Sequence, residues 1–322
     1  MSKSELTWYI VRRLLAVALL LVVISFSVFS LLYLAPGSAV DILIGTNPRT
    51  DETVQILEER YHLDEPFLTQ YWLWAKDAAQ LEFGDSIETT LPVTYELRSR
   101  LPVSIFLGVY AFILTIVLGI VLGILAALKG QRTLDRGIVG ASVIGLSTPA
   151  FVSGVFLLYL FAVRLDWFPT FGHGEGFFDE LWHLTLPAVA LALVACAYVV
   201  KHTRAALLNV LDQDYVTFAR ARGLSSQRVL FVYGLRNALI PVVTLAGPLL
   251  AFLVTGAVLV EITFALPGVG EMLVQSATAK DLPSLQAIAL IAAAFILVAN
   301  LLVDLLYMAI DPRIRLGWAS RE

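Results

Sequence analysis

The stretch DQDYVTFARARGLSSQRVLFVYGLRNALIP, Asp212 to Pro241, carries charges of both signs on a helical rhythm between two strongly apolar spans. Asp212 or Asp214 can cap a first short helix, in which Tyr215, Phe218 and Ala219 share one face at the i, i+3, i+4 spacing. Gly223 is placed to stop that helix, because a glycine just past a helix end takes the left-handed conformation without a Cβ penalty. Arg220 and Arg222 in the last turn suit the negative end of the helix dipole. Ser225 can cap a second helix, with Leu224 and Val229 placed as a hydrophobic staple and Val229, Val232 and Tyr233 continuing the apolar face. Two short helices meeting at a glycine elbow make a docking surface, and its residues are Asp214, Tyr215, Phe218, Ala219, Arg220, Gly223, Leu224 and Ser225.

Two other readings of the stretch compete with docking. Loops between membrane helices are often basic without any partner. Helix, glycine turn and helix with arginines is also the pattern of a DNA-binding helix-turn-helix. Apolar spans on both sides hold the segment against a bilayer and argue against nucleic acid as a partner.

Ala219 and Gly223 in the frame ARARGLSSQRVL, followed by LRNALIP, resemble the cytoplasmic coupling loop of binding-protein-dependent ABC importer permeases, in the oligopeptide, dipeptide and nickel branch. The glutamate that names the family's motif falls here at Thr217, and its next alanine at Phe218. LEFGDSI and LPVTYELRSRLP, from Leu81 and Leu91, resemble the family's lead-in, and EITFALPGVG and NLLVDLLYMAIDPRIR resemble two further landmarks. The resemblance implies an all-α, six-span permease of the type I importer fold, of the first permease subunit type. It implies as partners a second homologous permease, two cytoplasmic ABC ATPases and an extracytoplasmic substrate-binding protein.

Composition agrees with a membrane setting. Of 322 residues 58% are hydrophobic and 15% charged, whereas soluble domains sit nearer half apolar and a quarter charged. Tyr9 to Leu34 is a first span whose apolar core exceeds the roughly 7 to 15 residues of a cleaved signal peptide. The polar segment 35–100 predicts two short helices, one with Val54, Leu57 and Tyr61 on a face and one with Phe67, Tyr71 and Trp74. Five more spans are expected near 102–128, 138–163, 183–205, 237–262 and 284–310, each close to or above the roughly 20 residues needed to cross. The chain therefore divides into residues 1–100 (first helix and a small extracytoplasmic domain), a core 101–310 carrying the coupling loop 208–236, and a tail 311–322.

With the amino terminus inside, 15 of the 22 Lys and Arg fall on the inner face and 19 of the 26 Asp and Glu on the outer one. The positive-inside rule then places both termini and the coupling loop in the cytoplasm, and the family resemblance implies the plasma membrane of a prokaryote. The acidic exterior fits either a high-salt habitat or one organism's surface composition.

Little in the chain points to chemistry of its own. No stretch fits G-x-x-x-x-G-K-[ST], so ATP is expected to be hydrolysed by partner subunits and no cofactor is expected in this chain. His62, His173, His183 and His202 have no metal-ligand spacing, and the one cysteine, Cys196, lies in an apolar span as a packing residue. Pro149 and Pro187 are expected to interrupt spans, where kinks can serve a moving pathway. Asn300 and Asp304 sit i, i+4 on the last span and join the two prolines as pathway or gating candidates, with Asp304 close enough to the cytoplasmic end to snorkel or to bond a neighbouring helix instead. An ion-coupled secondary transporter, the alternative function, carries buried acids or broken helices at mid-membrane, and this chain offers instead an almost uncharged bundle with a docking elbow. A scaffold with no transport role would not need that stiff helix pair.

Overall fold

The computed structural model describes residues 3–34, 37–45, 48–130 and 132–310, so the tail 311–322 lies outside the described residues. The helices are α1 (Lys3–Leu34), α2 (Ala39–Ile44), α3 (Asp51–Tyr61), α4 (Phe67–Ala79), α5 (Val93–Leu128), α6 (Thr133–Ser147), α7 (Ala150–Leu157), α8 (Phe177–Leu211), α9 (Asp214–Ala221), α10 (Ser226–Arg228), α11 (Arg236–Ala238), α12 (Ile240–Thr244), α13 (Ala246–Thr263), α14 (Val269–Ala279) and α15 (Leu282–Ile310). Two π-helical segments, Leu158–Arg164 and Val229–Leu235, continue α7 and α10. Among the described residues there is no β-strand beyond an isolated bridge between Asp85 and Pro92, and the chain is all-α.

Five helices are long and apolar enough to cross a membrane, in α1, α5, α8, α13 and α15. The third expected span is not one straight helix. It is the pair Thr133–Ser147 and Ala150–Arg164, bent by 106°, and counting it as one span gives six. Pro149 explains the break: its ring disfavours helical backbone at the residue before it, and Thr148 is extended at φ −103°, ψ 121°. Pro187 behaves otherwise. It lies buried inside α8, which runs unbroken for 35 residues, so the interruption expected there is absent. The fifth span, expected from residue 237, begins as a long helix only at Ala246, after the short α11 and α12.

The compact units do not follow chain order. One holds most of the chain up to Ser104 together with Pro267–Val298, and the other holds Ile105–Leu266 with the chain from Ala299 on. In the second unit α8 is central, with α6, α7 and α13 packed against it. Of the most apolar window of α8, 72% is buried, against 33% for those of α5 and α13. Gly119 and Gly123 let α5 press on α8, since a Cβ there would meet the Val199 and Thr203 side chains at 2.5 and 2.6 Å. The exposed apolar faces of the other spans are what lipid or a partner would cover.

In the first unit the two short helices form as the sequence predicts. Thr50 caps α3 by accepting from the Thr53 N–H at 3.1 Å. Phe67, Tyr71 and Trp74 of α4 pack on Phe29 of α1 with centroids 5.4 to 5.7 Å apart. The Ser86 hydroxyl, in the LEFGDSI stretch, donates to the buried Asp281 carboxylate at 2.6 Å, and Ser284 Oγ donates to the same oxygen at 2.7 Å. A carboxylate buried at the start of α15 is thereby satisfied by two hydroxyls, as burial requires.

Candidate functional site

The elbow forms, and its parts can be followed one by one. The cap of α9 is Gln213, with no side-chain cap bond, and Asp214 is the first helical residue; neither aspartate caps, though Asp214 still places a negative charge at the positive end of the dipole. Arg222 ends the helix and Gly223 follows at φ +76°. The Leu224 N–H reaches back to the Ala219 carbonyl at 3.3 Å and the Gly223 N–H to that of Arg220 at 2.9 Å, the paired bonds of a Schellman termination. Ser225 then caps α10, its hydroxyl accepting from the Arg228 N–H at 3.4 Å.

The buried face differs from the one the spacing predicts. Val216, Ala219 and Val229 are the enclosed residues, with Leu211, Leu224 and Tyr233 packed around them. Of the three residues the spacing groups on one face, Ala219 is enclosed, while Phe218 is 69% exposed and Tyr215 also faces outward, as does Val232 of the second arm. Tyr215 has a different task. The Asn237 amide donates to its hydroxyl at 3.4 Å and to the Tyr233 carbonyl at 3.0 Å, bracing α9 against the second arm. The second arm is mostly a π-helix, a form that recurs at functional sites. What the elbow presents is therefore the exposed Phe218, Arg220 and Arg222, on a base of small apolar contacts.

That base stands on α8. Leu207 and Ala238 are buried with Ala127 of α5, and Leu211 and Leu235 pack on them, so the elbow's second arm and two spans share one cluster. One turn before Leu207, Arg204 makes a bidentate pair with the buried Asp135 of α6, with Nε to Oδ1 at 2.7 Å and Nη2 to Oδ2 at 2.8 Å. Fork-on-carboxylate geometry of this kind fixes orientation as well as distance. Sequence reading passed over both residues because it sought acids at mid-membrane. The available signal was a lone arginine in the last turns of an apolar span and a lone aspartate in the short basic hairpin.

The pathway candidates separate. Pro149 stands at the 106° break and Pro187 inside the central helix. Asn300 of α15 packs on α13, where a Cβ at Gly247 would lie 2.4 Å from its Oδ1. Asp304, one turn on, is half-buried. No group of three or more His, Cys, Asp and Glu suited to a metal occurs among the described residues.

Residues 119–316 match the family described as binding-protein-dependent transport system inner membrane component, and residues 6–108 match its N-terminal domain. The chain belongs to this family. The permease is similar to the oligopeptide transport system permease protein AppB of Bacillus subtilis, at 37% identity over 312 residues covering 95% of this chain and 98% of that one. It is equally similar to the glutathione transport system permease protein GsiC of Escherichia coli, at 37% over 309 residues, 95% of this chain and 98% of that one. Among solved structures, inward-facing MetNI methionine ABC transporter aligns with TM-score 0.55 at 17% identity, over 67% of this chain and 97% of the other, a likeness of fold. The permease thus has the type I ABC importer fold, and it is a membrane permease component of an ABC importer.

Proposed function

We propose that the permease carries di- and oligopeptides, or related small solutes, along a pathway shared with a second homologous permease. Its elbow faces the cytoplasm and receives the motion of two ATPase subunits, while residues 35–100 face outside, toward a substrate-binding protein. Both termini are cytoplasmic, and the permease itself hydrolyses nothing. The observation that carries this reading is the elbow: an exposed aromatic followed by two exposed arginines, on a terminated and capped helix pair whose second arm shares a cluster with two spans. A helix pair so held transmits displacement as a rigid body rather than bending. Peptide and glutathione in the names of relatives alike over nearly their whole length support the cargo class. No observation favours the ion-coupled alternative.

Two measurements test the reading. In a Cys196→Ser background, Ala79→Cys reacts with an impermeant thiol reagent on intact cells and Ser226→Cys does not; the reverse pattern overturns the orientation and the coupling role with it. Purified alone into liposomes the permease neither hydrolyses ATP nor takes up peptide, and with its permease and ATPase partners it does so when loaded binding protein is added. Uptake driven by a proton gradient alone would favour a secondary carrier.

A further inference from the structure

Within the first unit lies a cleft of about 670 Å³ that the coupling mechanism does not use. It is formed where α3, α4 and the first turns of α5 meet the end of α1, and all of its walls belong to that unit. This is within the usual size of small-ligand pockets, about 300 to 1,000 Å³. Its apolar body comes from Trp74, Phe83 and Leu282. Tyr61 is pressed into the wall beside Gly84, where a Cβ would lie 2.7 Å from the phenol oxygen, and burial pushes its pKa up so that it remains a neutral hydroxyl.

The charges around the cleft are of both signs and differ in state. Arg60 is spent on Asp85 at 2.5 Å. Asp77, at the end of α4, and Arg98, on α5, both line the cleft, and neither side chain has an ion-pair or hydrogen-bond partner among the described residues. Asp77 is half-buried, which raises the cost of leaving its charge unmatched. A guanidinium is suited to a carboxylate through paired N–H donors, and an ammonium to a carboxylate with an aromatic face nearby. We infer that this cleft binds a small zwitterion with an apolar middle, a free peptide, with its carboxylate on Arg98 and its ammonium on Asp77. The inference rests on the peptide reading of the cargo. It gives the extracytoplasmic domain a task distinct from the pathway: to hold peptide at the permease's outer face.

The test uses the assembled complex in phosphatidylcholine nanodiscs without binding protein, titrated with Ala-Phe-Ala and with the same tripeptide acetylated and amidated at its ends. Ligand-observed NMR or calorimetry reads the affinity. Arg98→Gln and Asp77→Asn each weaken binding of the free tripeptide about tenfold, the effect of losing one charged hydrogen-bonded contact. The blocked tripeptide binds weakly to all forms, and Arg49→Gln, whose partner is Asp41 away from the cleft, leaves affinity unchanged. Equal affinity in wild type, Arg98→Gln and Asp77→Asn overturns the cleft as a peptide site, as does no binding in any of them. In those cases peptide uptake by the complete system still supports the proposed cargo, whereas a system that imports a different solute class overturns the cargo reading itself.

Discussion

Four helices of this permease end in the same way, α4 at Leu81, α9 at Gly223, α13 at Ala265 and α14 at Lys280, and two of them make a contrast. At the elbow, α9 closes with Gly223 at φ +76°, and at the other landmark α13 closes with Ala265 at φ +48°. Both make the same pair of backward bonds: Leu224 to Ala219 and Gly223 to Arg220 in one, Leu266 to Glu261 at 2.9 Å and Ala265 to Ile262 at 3.2 Å in the other. Their surroundings differ. Glu261, Phe264 and Leu266 around Ala265 are all nearly fully buried, whereas a Cβ at Gly223 would meet nothing within 4 Å. A non-glycine residue in the left-handed region costs roughly 1 to 3 kcal/mol and persists where the surroundings over-determine it. At Ala265, itself exposed, the packing of those three neighbours does that. At Gly223 only the local motif sets the turn, and glycine holds it without a Cβ cost, whereas α4 and α14 close the same way with the exposed Leu81 and Lys280 in the left-handed region.

The largest expected effect strikes the base on which the elbow stands. Arg204→Ala leaves the Asp135 carboxylate buried and without its fork, and breaking a buried pair this way costs roughly 3 to 5 kcal/mol. Thermal denaturation of the detergent-solubilised permease should show a marked loss, with Arg204→Lys intermediate because lysine cannot reproduce the bidentate contact. Wild-type stability in Arg204→Ala would remove the pair from the elbow's foundation. Gly223→Val comes next. A β-branched residue at positive φ adds strain of roughly 1 to 3 kcal/mol to a helix of two turns, enough to tilt or melt it. Insertion and total stability survive, while ATPase association or stimulation of hydrolysis by loaded binding protein falls. Wild-type values for both would show that the elbow's geometry does not matter to coupling. Arg220→Ala has a smaller effect, and its salt dependence distinguishes an acidic ATPase groove from a neutral contact.

How much of this was legible in the sequence depends on what set each feature. Caps and terminations are local, so Ser225, Gly223 and the two short helices after Thr50 and Pro66 could be read from residue types alone. The elbow's buried face could not. Spacing groups Tyr215 with Phe218, but the short arm facing α9 offers room only for Val216 and Ala219, and the larger aromatics turn outward. Prolines show the same limit. Pro149 breaks its helix because the preceding residue is extended, while Pro187 sits within a central helix whose neighbours hold it on every side. Pairs such as Asp135 with Arg204, or Ser86 with Asp281 across 195 positions, need the folded chain to be seen at all.

The smallest expected effect bears most directly on the two turns. Ala265→Gly keeps the backbone of the α13 termination and removes the Cβ that makes its left-handed conformation costly. Against that relief stands the extra freedom glycine has in the unfolded chain, worth roughly 0.4 to 1 kcal/mol. If the strain at Ala265 is at the low end of its range, the two nearly cancel; if it is larger, the variant gains up to about 2 kcal/mol. The variant should therefore melt at or slightly above the wild-type temperature, with uptake unchanged because the packing of Glu261, Phe264 and Leu266 is untouched. The matching change at the elbow, Gly223→Ala, runs the other way: it adds the strain where nothing packed holds the turn, and it should weaken ATPase association less than Gly223→Val does. A clear drop in melting temperature for Ala265→Gly would mean that the Ala265 methyl contributes more by its contacts than its backbone costs. The contrast between a packed turn and an open one would then have to be rebuilt on packing alone.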